Sequence, residues 1–163
     1  MKHYLISLIA FTGLLLSTNT HAQDVRLGAG ISYGTVIKTI GFNARVDVKL
    51  DRQWSIVPHA NWFLNRTNGP ITNKWREFNI DGHYNFEIDQ TWFLYPLFGI
   101  NFATVQEKVN DITFSNSEIG ANLGFGSEFI FTRQLSGFGE VKYVISDADQ
   151  AVFTLGLLFL LTQ

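Results

Sequence analysis

The sequence predicts an all-β chain that folds as an eight-stranded antiparallel up-and-down transmembrane β-barrel. Three observations predict it. Apolar and polar residues alternate along most of the chain, most cleanly in Thr39–Leu50, where Ile40, Phe42, Ala44, Val46, Val48 and Leu50 share one face and Thr39, Gly41, Asn43, Arg45, Asp47 and Lys49 the other. The chain begins with the pattern of a secretory signal. Hydrophobic residues make up 46% of the sequence, yet beyond the first residues no apolar run is long enough to form a spanning helix, so the hydrophobicity is arranged by twos.

In order along the chain, Lys2 and the apolar run Leu5–Leu16 read as a signal peptide, and Thr20-His21-Ala22 as its processing site. The run is shorter than the roughly 18 to 20 residues of a spanning helix, so Met1–Ala22 is expected to be cleaved, leaving Gln23–Gln163 as a single barrel domain. Eight strands follow: Val25–Gly34, Thr39–Leu50, Trp54–Asn65, Trp75–Ile88, Thr91–Val105, Ser117–Phe131, Leu135–Ser146 and Ala151–Leu161. An even number suits a closed single-chain antiparallel barrel. Pro58 and Pro96 fall inside strands and, lacking an N–H, are expected to mark bulges.

The connections alternate in character. Asp51-Arg52-Gln53, Asp89-Gln90 and Thr132-Arg133-Gln134 read as tight turns, and the first two lead into Trp54 and Trp92. Thr35–Lys38, Arg66–Lys74, Gln106–Asn116 and Asp147–Gln150 read as polar loops on the opposite side. Tight turns on one side and longer loops on the other are the habit of membrane barrels.

Alternation alone does not say which face is inside. Glycines on the polar face suit a crowded small lumen, with room for bulky neighbours such as Phe63, Tyr95 and Phe138. Aromatics gather near strand ends, so Trp54, Trp62, Trp75, Trp92, Tyr33, Tyr84 and Tyr143 read as interfacial girdles. Both features place the apolar face outward, against lipid. The third, fifth and eighth strands carry apolar residues on both faces, among them Val57, Phe63, Phe93, Tyr95, Leu97, Leu158 and Leu160, and their register is less defined.

With Trp54 and Trp92 after tight turns, the segment Gly137–Tyr143 and the closing strand Phe153–Phe159, the chain resembles the small OmpA/OmpX-type eight-stranded outer-membrane barrels of Gram-negative bacteria. The resemblance is architectural and covers the mature length. It implies an outer-membrane location and insertion by the outer-membrane assembly machinery, which in this family reads an alternating last strand ending in an aromatic residue. Here Phe159 is the last aromatic and the chain runs on through Leu160-Leu161-Thr162-Gln163.

The inward face collects Arg26, Arg45, Asp47, Lys49, Glu77, Asp81, Glu87, Glu118, Glu128, Glu140 and Lys142. Charges shielded from bulk water must pair, and Arg45, Asp81, Glu140 and Lys142 are expected near mid-depth as a charge network across the lumen. An ion path competes with a polar plug, and the small bore of an eight-stranded barrel favours the plug. His59 and His83, with Asp81 close to the second, are expected as lumen polar contacts; their spacing matches no metal-ligand motif, and no metal or cofactor is expected.

No cysteine is present, which excludes disulfides, thiolate metal sites and a lipoprotein anchor. The net charge of −2 is mixed along the chain, so no nucleic-acid footprint forms. No serine, histidine and aspartate arrangement emerges, so no catalytic residue is expected. The reading is therefore an integral outer-membrane barrel, a monomer contacting membrane lipids, with a polar filled lumen and short surface loops. Its role is structural, surface-interactive or that of a narrow pore. Two alternatives are a secreted soluble lipocalin-like barrel with inverted faces that holds a small apolar ligand, and an outer-membrane lipid-modifying enzyme.

Overall fold

The computed structural model describes residues 24–109, 112–147 and 149–162. The expected signal segment Met1–Ala22 lies outside the described residues. Eight long strands form the wall: β1 (Val25–Gly34), β2 (Thr39–Lys49), β3 (Trp54–Phe63), β4 (Ile71–Tyr84), β5 (Trp92–Val109), β6 (Ile112–Ile130), β7 (Leu135–Ile145) and β8 (Gln150–Thr162). Two short pieces, Arg66–Asn68 and Phe86–Glu87, pair onto β4 and β5 and add no stave. Each long strand pairs antiparallel with its sequence neighbours, and β1 pairs with β8, so the sheet closes.

The faces follow the alternation. Ile31, Ile119 and Leu155 point outward and are 57%, 73% and 71% exposed, whereas Asn61, Asn79 and Asn101 point inward and are fully buried. A barrel in water would hide the first group, so this orientation overturns the soluble-carrier alternative. The mixed strands turn their extra apolar residues inward: Val57, Phe63, Tyr95, Leu97 and Leu158 are buried, and Phe93 and Leu160 half-buried.

The three tight turns share one device. Asp51 Oδ1 accepts the N–H groups of Gln53 and Trp54, Asp89 Oδ1 those of Thr91 and Trp92, and Thr132 Oγ1 those of Gln134 and Leu135. A short polar side chain thus satisfies the backbone donors at the reversal and starts the next strand. In both aspartate turns the backbone donors hold the carboxyl below the usual carboxylate range.

Neither proline makes a bulge. The β2–β3 ladder keeps the same register on both sides of Pro58, from Arg45↔His59 to Val48↔Ile56, and pairing merely lapses between. Pro96 acts likewise: His83↔Leu97 and Phe86↔Leu94 share a register, and the lapse between them is what separates Phe86–Glu87 from β4. A proline facing its neighbour lacks the donor, so a ladder bond is lost without an extra residue being inserted. The register shift between β1 and β8 lies instead at Val25/Arg26.

The expected loops Arg66–Lys74 and Gln106–Asn116 are largely strand. Arg66–Asn68 folds back on Ile71–Asn73 through Gly69, whose φ of 59° suits a residue without Cβ, and β5 and β6 stay paired out to Val109↔Ile112. β6 is 19 residues long, about 60 Å along the strand, and crossing a bilayer takes only about 9 to 11 residues. β4, β5 and β6 therefore rise past the other staves at the end opposite the tight turns. β6 joins β7 only from Ala121↔Ile145 downward, so its outer edge above that point pairs with no described strand.

Candidate functional site

The lumen is the candidate site, with charged side chains stacked in layers. Nearest the tight turns, Arg26 bridges Asp47, at 2.6 Å, and Glu128. Lys49 lies 5.4 Å from the centre of the Phe93 ring.

In the next layer the Arg45 guanidinium grips Glu140 through two parallel bonds of 2.6 and 2.7 Å and lies 3.8 Å over the Phe138 ring. Its Nε donates to Asn43 Oδ1 at 2.9 Å. The Tyr95 hydroxyl donates to Glu140 Oε1 at 2.9 Å, and the His83 ring stacks on Tyr95 at 4.5 Å. Glycines make the space: a Cβ on Gly28 would sit 2.5 Å from Arg45, one on Gly126 2.5 Å from the Tyr95 ring, and one on Gly156 2.6 Å from Phe138.

Above this, Asp81 receives His59 Nε2 at 2.9 Å and Asn122 Nδ2 at 2.6 Å, with Lys142 Nζ 3.8 Å away. Asn79 Oδ1 accepts from Lys142, Asn101 and Asn122 at 2.8 to 2.9 Å. His59 Nδ1 faces the Asn43 amide nitrogen at 3.2 Å, which makes Nδ1 the acceptor and Nε2 the protonated nitrogen that donates to Asp81.

Toward the raised end, Glu77 accepts from Gln150, Asn61 and the Trp75 indole at 2.6, 3.0 and 3.1 Å. Over it lies an apolar cluster of Ile37, Phe63, Trp75, Val144 and Val152, with Val105 against its side. The β1–β2 turn supplies Ile37, which packs into the space left by Gly34.

Arg45, Asp81, Glu140 and Lys142 thus occupy adjacent layers, Arg45 paired with Glu140 and Lys142 beside Asp81. His59 contacts Asp81, and His83 Nε2 stands 3.9 Å from Glu140. Of the charges expected inside, Glu87 is not in the lumen: it is exposed where its strand leaves the tight-turn end. Glu118 shares the inward face of Gly120 and Asn122 near the rim, half-exposed, with Oε2 buried and Oε1 accepting from Asn116 at 2.9 Å.

Of the aromatics, Trp54, Tyr84 and Trp92 project outward at the tight-turn end and Tyr33, Trp62 and Tyr143 at the raised end. Trp75, expected in a girdle, is buried at the mouth of the lumen, because the outward face of β4 is carried by even-numbered residues from Arg76 to Tyr84.

The alternation places asparagines such as Asn43 on the polar face, but their joint role escaped sequence reasoning. Asn43, Asn61, Asn79, Asn101 and Asn122 stand at buried inward positions of five consecutive strands, and together they bridge the charged layers. Their signal was present as one asparagine per inward register, but it carries no charge and matches no motif. Among the described residues no group of three or more histidines, cysteines or acids is placed to hold a metal ion.

Strands that close on themselves, with an apolar exterior and a polar, hydrogen-bonded interior, define an integral membrane β-barrel. The outer membrane protein beta-barrel domain family matches residues 6–159, and the chain belongs to that family. Three solved structures are similar in fold. The N-terminal β-barrel domain of Pseudomonas aeruginosa OprF shares 13% identity, with a TM-score of 0.73 over 86% of this chain and 100% of that one. Ail, the attachment invasion locus protein of Yersinia pestis, shares 16% identity, with a TM-score of 0.65 over 86% and 98%. Neisserial surface protein A shares 12%, with a TM-score of 0.65 over 86% and 99%. A comparison with curated proteins finds no match.

Proposed function

We propose that this protein is an outer-membrane anchor with a non-conducting lumen whose working surface is the raised end of the barrel. The observation that carries the reading is the pairing of a crossed lumen with a raised sheet. The Arg45–Glu140 and Asp81–Lys142 layers and the apolar cluster above them occupy the bore, while β4, β5 and β6 extend beyond it and expose Ile112 and Phe114, 63% and 62% exposed, beside an edge that pairs with no described strand. Unpaired strand edges with apolar side chains are surfaces for pairing with another extended segment.

In this reading the outward aromatics form two girdles at the lipid headgroups, the strands between them contact lipid chains, and the protein works as a monomer without catalysis. The signal segment exports it and the assembly machinery inserts it. Among the described residues His59 and His83 lie beneath the apolar cluster; His59 bonds Asp81 and Asn43, His83 stands 3.9 Å from Glu140, and neither is hydrogen-bonded to a serine hydroxyl, which supports a non-enzymatic role.

The experiment is reconstitution in planar bilayers together with accessibility on intact cells. No stepwise conductance is expected. Since the chain has no cysteine, Phe114→Cys should react with a membrane-impermeant maleimide on whole cells and Arg133→Cys, in a tight turn, should not. A steady conductance, or labelling of Arg133→Cys alone, would overturn the reading.

A further inference from the structure

We propose that the outer mouth of the barrel is a binding cup for a phosphorylated or sulfated sugar. A cavity of about 310 Å³ sits there, at the lower end of the range for small-molecule sites, and Lys38, Arg66, Asn68 and Asn73 line it with Ile37 and Trp75. It lies above the apolar cluster, so it is a cup and not the entrance to a channel.

The lining has a consistent chemistry. Two cations and no carboxylate border the cavity. Arg66 is already held in place: its Nη1 donates to the Ile37 carbonyl at 3.1 Å, leaving the rest of a rigid fork of donors for an oxyanion. Lys38 sits at a φ of 54°, which closes the β1–β2 turn with Lys38 N donating to Gly34 O at 2.8 Å and sets the ammonium stem on the rim.

The remaining lining suits a sugar more than a bare ion. Asn68 and Asn73 offer amides that both donate and accept, as hydroxyl groups require. Trp75 directs its single donor to Glu77, so it presents carbon surface to the cavity. Of the acids near the lining, Glu77 is taken up below it by Gln150, Asn61 and Trp75, whereas Glu107, opposite Asn73 in the β4–β5 ladder, is exposed beside it. It should weaken anion binding from there, and its removal supplies a gain-of-affinity test.

That the cup meets the cell exterior rests on the reading above, but its chemistry is testable without that reading. The full folded barrel, in a polyoxyethylene detergent, is titrated calorimetrically with glucose 6-phosphate, glucose 6-sulfate and glucose. Both esters should bind at least about tenfold more tightly than glucose, the value of one charge-assisted hydrogen bond. Arg66→Gln and Lys38→Gln should each lower ester affinity about tenfold, and Glu107→Gln should raise it. Heat-dependent gel mobility checks that each variant is folded.

Repeating the titration in phosphatidylcholine vesicles with and without lipopolysaccharide separates the sources. Competition marks the membrane's own glycolipid as the natural ligand, and its absence marks a free or foreign sugar ester; both support the cup. Equal binding of ester and glucose, or unchanged affinity in folded Arg66→Gln, would sink it. That failure would leave the conductance and labelling results untouched.

Discussion

Arg45 and Glu140 lie 95 residues apart in sequence and meet in the lumen through two bonds of 2.6 and 2.7 Å, from β2 on one side to β7 on the other. A pair that spans the bore ties together staves that share no ladder. Removing one partner leaves a buried charge alone, which costs about 3 to 5 kcal/mol, whereas removing both costs much less. Arg45→Met and Glu140→Gln should each lower stability by that order in urea unfolding from lipid vesicles. The double variant should cost less than either single one, an interaction term larger than about 3 kcal/mol. Additive losses would show that the bridge does not couple the two strands.

The tight turns give a pH dependence whose sign is fixed. Backbone N–H groups, from Trp54 and Gln53 at Asp51 and from Thr91 and Trp92 at Asp89, hold both carboxyls below their usual range. A depressed folded pKa contributes stability that is present above the unfolded value, about 3.9, and is lost as pH falls through the folded one. Asp51→Ala and Asp89→Ala should therefore narrow the stability difference between pH 7 and pH 3 relative to the unsubstituted protein. A pH profile parallel to the parent's in both variants would remove the assignment.

Val46 and Asn43 test the faces of β2. Val46 points outward and Asn43 is buried in the lumen, bonded to Arg45 and Asn61. Val46→Arg should cost about 2 to 4 kcal/mol if it meets the bilayer midplane. Asn43→Asp adds charge without bulk beside Arg45 and should cost less. Refolding yields in vesicles measure both, and the reverse order would invert the faces.

Glycine position matters more than glycine content. A Cβ on Gly126 would lie 2.5 Å from the Tyr95 ring, while one on Gly82 would meet Phe98 at an ordinary 3.4 Å. Gly126→Ala should lose about 1 to 3 kcal/mol through overpacking, and Gly82→Ala should be neutral or gain about 0.4 to 1 kcal/mol from a stiffer unfolded chain. Equal effects at the two sites would mean that the lumen relaxes around Tyr95.

Alternation made most of the wall legible, because side chains repeat every two residues and a one-residue slip would turn Phe42 of β2, or Phe125 and Phe129 of β6, to the wrong side. β1 has the bounds its pattern predicts, and the other long strands match in the membrane-spanning part. The upper reaches of β4, β5 and β6 did not read as strand because a strand with water on both faces has no reason to alternate: Thr113-Phe114-Ser115-Asn116 looks like a loop and is held in the sheet by its partner Val105–Lys108. Prolines misled for a related reason. A missing N–H predicts a lost bond, but whether the register shifts depends on the neighbouring strand, which the local sequence does not contain.

By itself the sequence determined the class of solvent around this protein and most of the inward charges, Glu87 excepted, since both follow from residue type and a period of two. The tertiary structure decided which charges meet: that Arg45 chose Glu140, that Lys142 stands beside Asp81, and that Trp75 turns into the mouth to make the floor of a cup. Those choices depend on which strands face each other across the bore and at what depth. Strand tilt and barrel closure set that geometry, and they are properties of the whole sheet.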